Sequence, residues 1–133
     1  SQESSRTAEP VATTKNKYSV AELTIRERPI GDVVILDLEG KITNGGGATA
    51  LRNAIRGLLN EGKRKILINL KGVSQADDDG IGELVAGHTT TSNANGQLKL
   101  LNLPKNMQDL LMVTKFMTVF QVYDNEEEAL NSF

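Results

Sequence analysis

The sequence predicts an α/β fold: a mixed β-sheet of about five strands, an N-terminal hairpin followed by β-α repeats, with about four helices. Three observations predict it. Short β-branched or alternating runs recur along the chain, apolar residues at helical spacing separate them, and Gly, Pro, Asn or Asp punctuates the junctions. Strand-helix-strand repeats imply parallel pairing with right-handed crossovers. With 133 residues, 38% of them hydrophobic and 24% charged, the chain is long enough for one domain around a single core.

Each element follows from local chemistry. Residues 1–17 are rich in Ser, Thr, Glu and Lys, contain Pro10 and carry little that is apolar, so they read as a flexible N-terminal tail before a domain spanning 18–133. Val20 to Arg28 partly alternates and Val33 to Leu38 is β-branched. The turn residues Pro29-Ile30-Gly31-Asp32 lie between them, which predicts a β-hairpin. A loop at Thr43 to Gly47 leads to Leu51, Ile55, Leu58 and Leu59 at helical spacing, closed by Gly62 as a C-cap. Lys65 to Leu70 is a strand. Ile81, Leu84, Val85 and His88 fall at i, i+3, i+4 and i+7, so a helix runs from Gly80 to Asn95 and closes at Gly96. Gln97 to Leu103 alternates as a strand until Pro104, which suits a first helical turn ahead of Met107, Leu110, Leu111 and Thr114. A last strand at Val119 to Tyr123 precedes Asn125-Glu126-Glu127-Glu128, a capping-box start for a closing helix with Ala129, Leu130 and Phe133 as its apolar contacts.

Composition narrows the function. The formal net charge is −2, with Lys and Arg scattered along the chain, so nucleic-acid binding has no electrostatic footprint. There is no cysteine and one histidine, which excludes disulfides, thiolate metal sites and His-rich metal clusters. No apolar run approaches the roughly 18 residues a membrane span needs. No apolar h-region follows the N-terminus, so a secretory signal is not expected and the cytoplasm is the simplest location.

The richest chemistry lies between the strand at Lys65–Leu70 and the helix that follows. Asp77, Asp78 and Asp79 stand at a helix N-terminus, where unpaired N–H groups and the helix dipole favour negative charge, including phosphate. The plainest reading is one capping Asp with solvated neighbours. A calcium loop needs alternating ligands and a distant bidentate Glu, and three contiguous Asp with Glu83 close by do not supply them. The acidic residues of a receiver-type phosphoaspartate site come from different strand ends with a Lys, which is also unmet.

The frame Gly72-Val73, then Asp77-Asp78-Asp79-Gly80-Ile81-Gly82, resembles the signature of the STAS domain family, shared by anti-sigma factor antagonists and the cytoplasmic tails of sulfate transporters. There a strand ends, Gly-Val follows, and an Asp-Ser-Ser-Gly or Asp-Ser-Thr-Gly turn opens the second helix. The likeness covers Tyr18 to Phe133, including Leu98 to Leu103 and the Glu-rich closing helix. It implies the same mixed sheet and a bacterial regulatory module, not an enzyme, that docks an anti-sigma factor kinase of the GHKL type. The docking turn would be Asp77, Asp78, Asp79, Gly80, Ile81 and Gly82, with Asp79 at the position of the phosphoacceptor hydroxyl. An Asp there offers a Ser/Thr kinase nothing to modify and carries a charge of about −1 against about −1.5 to −2 for a phosphate. ATP and magnesium would belong to the kinase, so the chain itself needs no cofactor and no metal. The alternative is a structural STAS module in a larger transport or stress-sensing complex, without phospho-switching.

Three further features carry plainer readings. Gly45-Gly46-Gly47 matches neither phosphate-binding glycine pattern and reads as a flexible lead into a helix, or as a loop bordering the partner surface next to the acidic turn. His88 has no triad partners and reads as a half-buried packing residue. Thr89-Thr90-Thr91-Ser92 is polar helix surface and, with Ser74, a second-choice site of phosphorylation.

Overall fold

The structure, a computed structural model, describes residues 14, 15 and 17–133. Its elements run β1 (Thr14–Lys15), β2 (Leu23–Ile30), β3 (Val33–Ile42), α1 (Gly47–Asn60), β4 (Lys65–Ala76), α2 (Asp78–Asn93), β5 (Gln97–Leu101), α3 (Lys105–Val113), β6 (Val122–Tyr123) and α4 (Glu126–Asn131). The strands form a sheet in chain order; β1, β2 and β3 pair antiparallel, and β3 to β6 pair parallel. The mixed sheet, the hairpin and the β-α repeats are those expected from the sequence. In the hairpin Ile30 faces Val33, leaving Gly31 and Asp32 as a two-residue turn, and Gly31 takes the positive φ of 61° that such a turn needs at its first position.

Alternation along the strands produces two unequal faces. Val34, Leu36 and Leu38 join Ile66, Ile68, Leu70, Leu98 and Leu100 beneath α1, α2 and α3 in the main core. Val33, Ile35, Leu67 and Leu101 point the other way and are covered by Ala129, Leu130 and Phe133 in and beside α4. Lys99 also points there and is 4% exposed. Its Nζ donates to the Ser132 carbonyl at 2.7 Å and to Ser132 Oγ at 2.9 Å, and lies 4.6 Å from the Phe133 ring centroid. A cation at a helix C-terminus satisfies orphan carbonyls and suits the dipole. Arg28 reaches Glu126 at the other end of α4, at 2.7 Å.

Several boundaries differ from the sequence reading. β4 does not end at Leu70 but runs to Ala76, because parallel pairing with β3 continues past two register shifts. At the first of these Gly72 lies so close to β3 that a Cβ would come 2.7 Å from the Leu38 carbonyl oxygen. β5 stops at Leu101, and Asn102 takes φ 58°. The last strand shrinks to Val122–Tyr123, since Met117–Val119 forms a single 3-10 turn and Phe120 turns into the core. Pro104 is the N-cap of α3. Residues 1–13 and 16 of the expected tail lie outside the described residues, and Thr14–Lys15 pairs with β2. Gly62 closes α1 as expected, at φ 87°, with Lys63 donating back to Leu58. Among the described residues no helix is long and apolar enough to cross a membrane.

The anchoring of α4 is testable. Lys99→Ala removes two hydrogen bonds from a buried charge, each contributing roughly 1.5–3 kcal/mol. Amide exchange is expected to accelerate across 126–131 while α1 and α2 keep their protection; unchanged exchange in α4 would show that its apolar contacts suffice.

Candidate functional site

β3 and β4 outrun their neighbour. Pairing of β4 with β5 stops at Asn69 and Leu101, whereas pairing with β3 continues to Ile42 and Ala76. The two long strands therefore project the loop before α1 and the turn before α2 side by side at one end of the sheet. Two glycines fix how closely. A Cβ on Gly47 would lie 2.0 Å from the Lys41 carbonyl oxygen, and one on Gly80 2.0 Å from that of Ile42. Both helices thus begin against consecutive carbonyls of β3, a distance only glycine allows.

Two carboxylates staple these loops. Asp77, extended at φ −113° and ψ −172°, is the N-cap of α2: one oxygen accepts from the Gly80 N–H at 2.9 Å and the other from the Asn44 N–H at 3.0 Å. Glu22, just before β2, accepts from the Gly47 N–H at 2.6 Å and from the Thr43 hydroxyl at 2.9 Å. Partial burial would raise the Asp77 carboxyl, but the N–H donors of Asn44, Gly80 and Asp79 outweigh it and hold it below the usual carboxylate range. The Gly47 N–H, opposed by desolvation and helped by Thr43 and Lys41, does the same for Glu22.

The structure divides the six predicted site residues. Asp77 caps, Gly80 and Ile81 are buried, and Asp78, Asp79 and Gly82 are exposed on the first turn of α2. A Cβ at Gly82 would meet nothing within 4 Å. Across from that turn stands the first turn of α1, and the groove between them holds about 390 Å³, with Asn44, Thr49, Arg52, Asp78, Asp79 and Glu83 among its walls. Arg52 Nη2 clasps Glu83 Oε2 at 3.1 Å. Deeper between the helices a Cβ on Gly87 would lie 2.6 Å from Ile55 Cδ1, so the helices cross closely.

Asn44 lies in the loop expected to border the acidic turn, whereas Glu22, Thr49 and Arg52 were missed in the sequence. Glu22 and Arg52 act over separations of 25 and 31 residues, and the one local signal was indirect: α1 opens on glycine with no acidic residue in its first turn. The third glycine of the Gly45–Gly47 run is the first helical residue and buried, after Gly46 at φ 123°. His88 is half-buried and packs edge-on to Phe120, with ring centroids 5.6 Å apart. Of the hydroxyls weighed as second-choice sites, Thr91 is buried without a partner, while Thr89, Thr90 and Ser92 are exposed beyond the groove. Ser74 donates to the Gly40 carbonyl.

The result is a small α/β domain that brings two stapled helix N-termini together at the ends of paired parallel strands, with part of the first turn of α2 exposed. The STAS domain family model matches residues 24–129, and the chain belongs to that family. Solved structures share its fold. An anti-sigma factor antagonist from Mycobacterium paratuberculosis is 19% identical, covering 86% of this chain and 97% of its own, with TM-score 0.73. The Bacillus cell fate determinant SpoIIAA in its phosphorylated form is 19% identical, covering 81% and 97%, with TM-score 0.64. A sulfate transporter family protein from Wolinella succinogenes is 17% identical, covering 79% and 87%, also with TM-score 0.64. No curated protein matches the sequence.

Gly80→Ala is expected to destabilise by roughly 1–3 kcal/mol through overpacking, whereas Gly82→Ala should be neutral or stabilise by up to about 1 kcal/mol. Denaturant midpoints compare them directly; equal shifts would refute the close approach at Ile42. Asp77 and Glu22 have depressed carboxyl pKa values in the folded state, so the stability they add is present above their ordinary values of 3.8 and 4.5. It is lost as pH falls through the lower folded values. Unfolding free energy should therefore hold steady above about pH 5 and decline below about 4, and Asp77→Asn with Glu22→Gln should flatten that acid limb.

Proposed function

We propose that this chain is a non-enzymatic regulatory binding module of the anti-sigma factor antagonist type, acting in the bacterial cytoplasm on transcription. It docks an anti-sigma factor kinase of the GHKL type and so releases a sigma factor. The contact is the exposed part of the Asp77–Gly82 turn, with the groove beside it. One observation carries this reading: Asp78, Asp79 and Gly82 are exposed on a turn whose remaining residues are tied down. A rigid exposed turn meets a partner with little ordering cost, and fixed carboxylates there steer and select complementary charge. Family membership supports the same reading.

Asp79 carries a permanent charge on this surface, imitating in part a phosphorylated hydroxyl, and Asp78 beside it is also exposed. The chemistry, including ATP and magnesium, belongs to the kinase. Asp79→Ser is expected to tighten kinase binding by roughly 1–3 kcal/mol where the carboxylate is desolvated in the complex, and Asp78→Ser serves as its neighbour control. Calorimetric titration gives the difference. The serine form should also accept phosphate from the kinase at this turn. A kinase that binds both forms equally and labels neither would leave the turn a helix start, and the module a structural part of a larger assembly.

A further inference from the structure

Two Asn-Gly steps occur in the chain, Asn44-Gly45 and Asn95-Gly96. In such a step the glycine nitrogen can attack the asparagine side-chain amide, because no Cβ on the following residue shields it. We propose that Asn44-Gly45 is a site of self-modification, where the fold promotes closure to a succinimide, and that Asn95-Gly96 is held inert. The inference does not depend on the docking reading.

The two steps differ in what holds the attacking nitrogen. Asn44 and Gly45 are both exposed. The Gly45 N–H donates to Thr43 Oγ1 at 3.2 Å, and that hydroxyl donates onward to the Glu22 carboxylate at 2.9 Å. The carboxylate lies against the step itself: a Cβ on Gly45 would come 2.8 Å from Glu22 Oε1. A base thus stands one hydroxyl away from the proton that must leave the nitrogen, which is the arrangement general-base catalysis needs. At the other step the Gly96 N–H donates to the Thr91 carbonyl at 2.8 Å, and the Asn95 N–H to that of Ser92 at 3.0 Å. Neither carbonyl takes up a proton. Asn95 is fixed at φ 64°, and a Cβ on Gly96 would lie 2.4 Å from the Arg64 carbonyl oxygen, so this backbone has little room to turn its nitrogen toward the side chain.

In the reaction, Gly45 N attacks Asn44 Cγ while its proton passes through Thr43 Oγ1 to Glu22. The N–Cγ bond forms and the Cγ–Nδ2 bond breaks. Nδ2 leaves as ammonia, taking the proton back from Glu22. Water then opens the succinimide at either carbonyl and leaves aspartate or isoaspartate at position 44. Both products add one negative charge. It falls beside Asp77, whose Oδ2 accepts the Asn44 N–H at 3.0 Å, and in the cavity that Asp78 and Asp79 line. Isoaspartate also inserts a methylene into the main chain between the points where Asp77 and Glu22 attach, so the joint between the two helix starts loosens with the age of the molecule.

Peptide mapping of the full chain, incubated at mildly alkaline pH, follows both steps in one sample, with a protein isoaspartyl methyltransferase as the probe for isoaspartate. Asn44 is expected to react while Asn95 stays intact, and in urea the two rates should converge. Reaction at Asn95 first, or at neither step while the urea-treated chain reacts fully, would overturn the site. The relay is read from the rate at Asn44. Thr43→Val and Glu22→Gln should each slow it by at least about tenfold, and Thr43→Ser should keep it. Gln at position 22 can still accept the Thr43 and Gly47 hydrogen bonds but is no base, so an unchanged rate in Glu22→Gln refutes the relay. Should Thr43→Val not fold, the unsubstituted chain decides: Asn44 must react faster folded than in urea, and a slower folded rate refutes the relay.

Discussion

The carbonyls of Lys41 and Ile42, at the end of β3, each receive the first turn of a helix at a distance that leaves no room for a side chain. Much of the site depends on that contact. It brings the starts of α1 and α2 together, and it lets one Asp77 carboxylate reach both its own helix at Gly80 and the opposite loop at Asn44. The same approach brings the Gly47 N–H to Glu22. Close backbone contact and remote capping support each other: the glycines permit the approach, and the carboxylates satisfy the N–H groups it would otherwise leave unpaired.

This arrangement explains why three identical residues have three different environments. Asp77 has extended backbone and a side chain turned back over the helix start, which uses both its oxygens. Asp78 and Asp79 already have helical backbone, so their side chains project from the first turn into solvent. Their charges still favour the helix through its dipole. A net charge on this surface is therefore tolerated by the fold and available to a partner. Gly80 and Ile81, the next two residues of the same turn, face the core: Ile81 is 1% exposed.

Much of the fold was legible because its signals are local. The hairpin turn, the Gly62 C-cap and the Asn125 cap on Glu128 lie where short-range chemistry places them. The misread boundaries have a common cause in pairing between distant segments. Lys71-Gly72-Val73-Ser74-Gln75 has turn composition, yet β3 supplies a ladder that holds it extended to Ala76. Phe120 reads as part of a strand, but the core beneath α2 draws it inward and shortens β6. In the site, the acidic turn was visible as a motif, whereas the Glu22 staple and the Arg52–Glu83 clasp join residues no local pattern connects.

Fold likeness extends alike to an antagonist, a phosphorylated cell fate determinant and a transporter family protein, each under 20% identical to this chain. The architecture is a shared support, and specificity must come from the few side chains that reach its surface. At this end of the sheet, the exposed groups are carboxylates on α2 facing a hydroxyl and a guanidinium on α1, over a turn fixed from below. Because the fixing groups and the exposed groups are different residues, stability and recognition are separable. Changes at Gly80, Asp77 or Glu22 act first on the fold, and changes at Asp78, Asp79 or Thr49 act first on what the fold presents. A domain built this way can alter its surface charge, by substitution or by modification, without rebuilding the core that holds the surface in place.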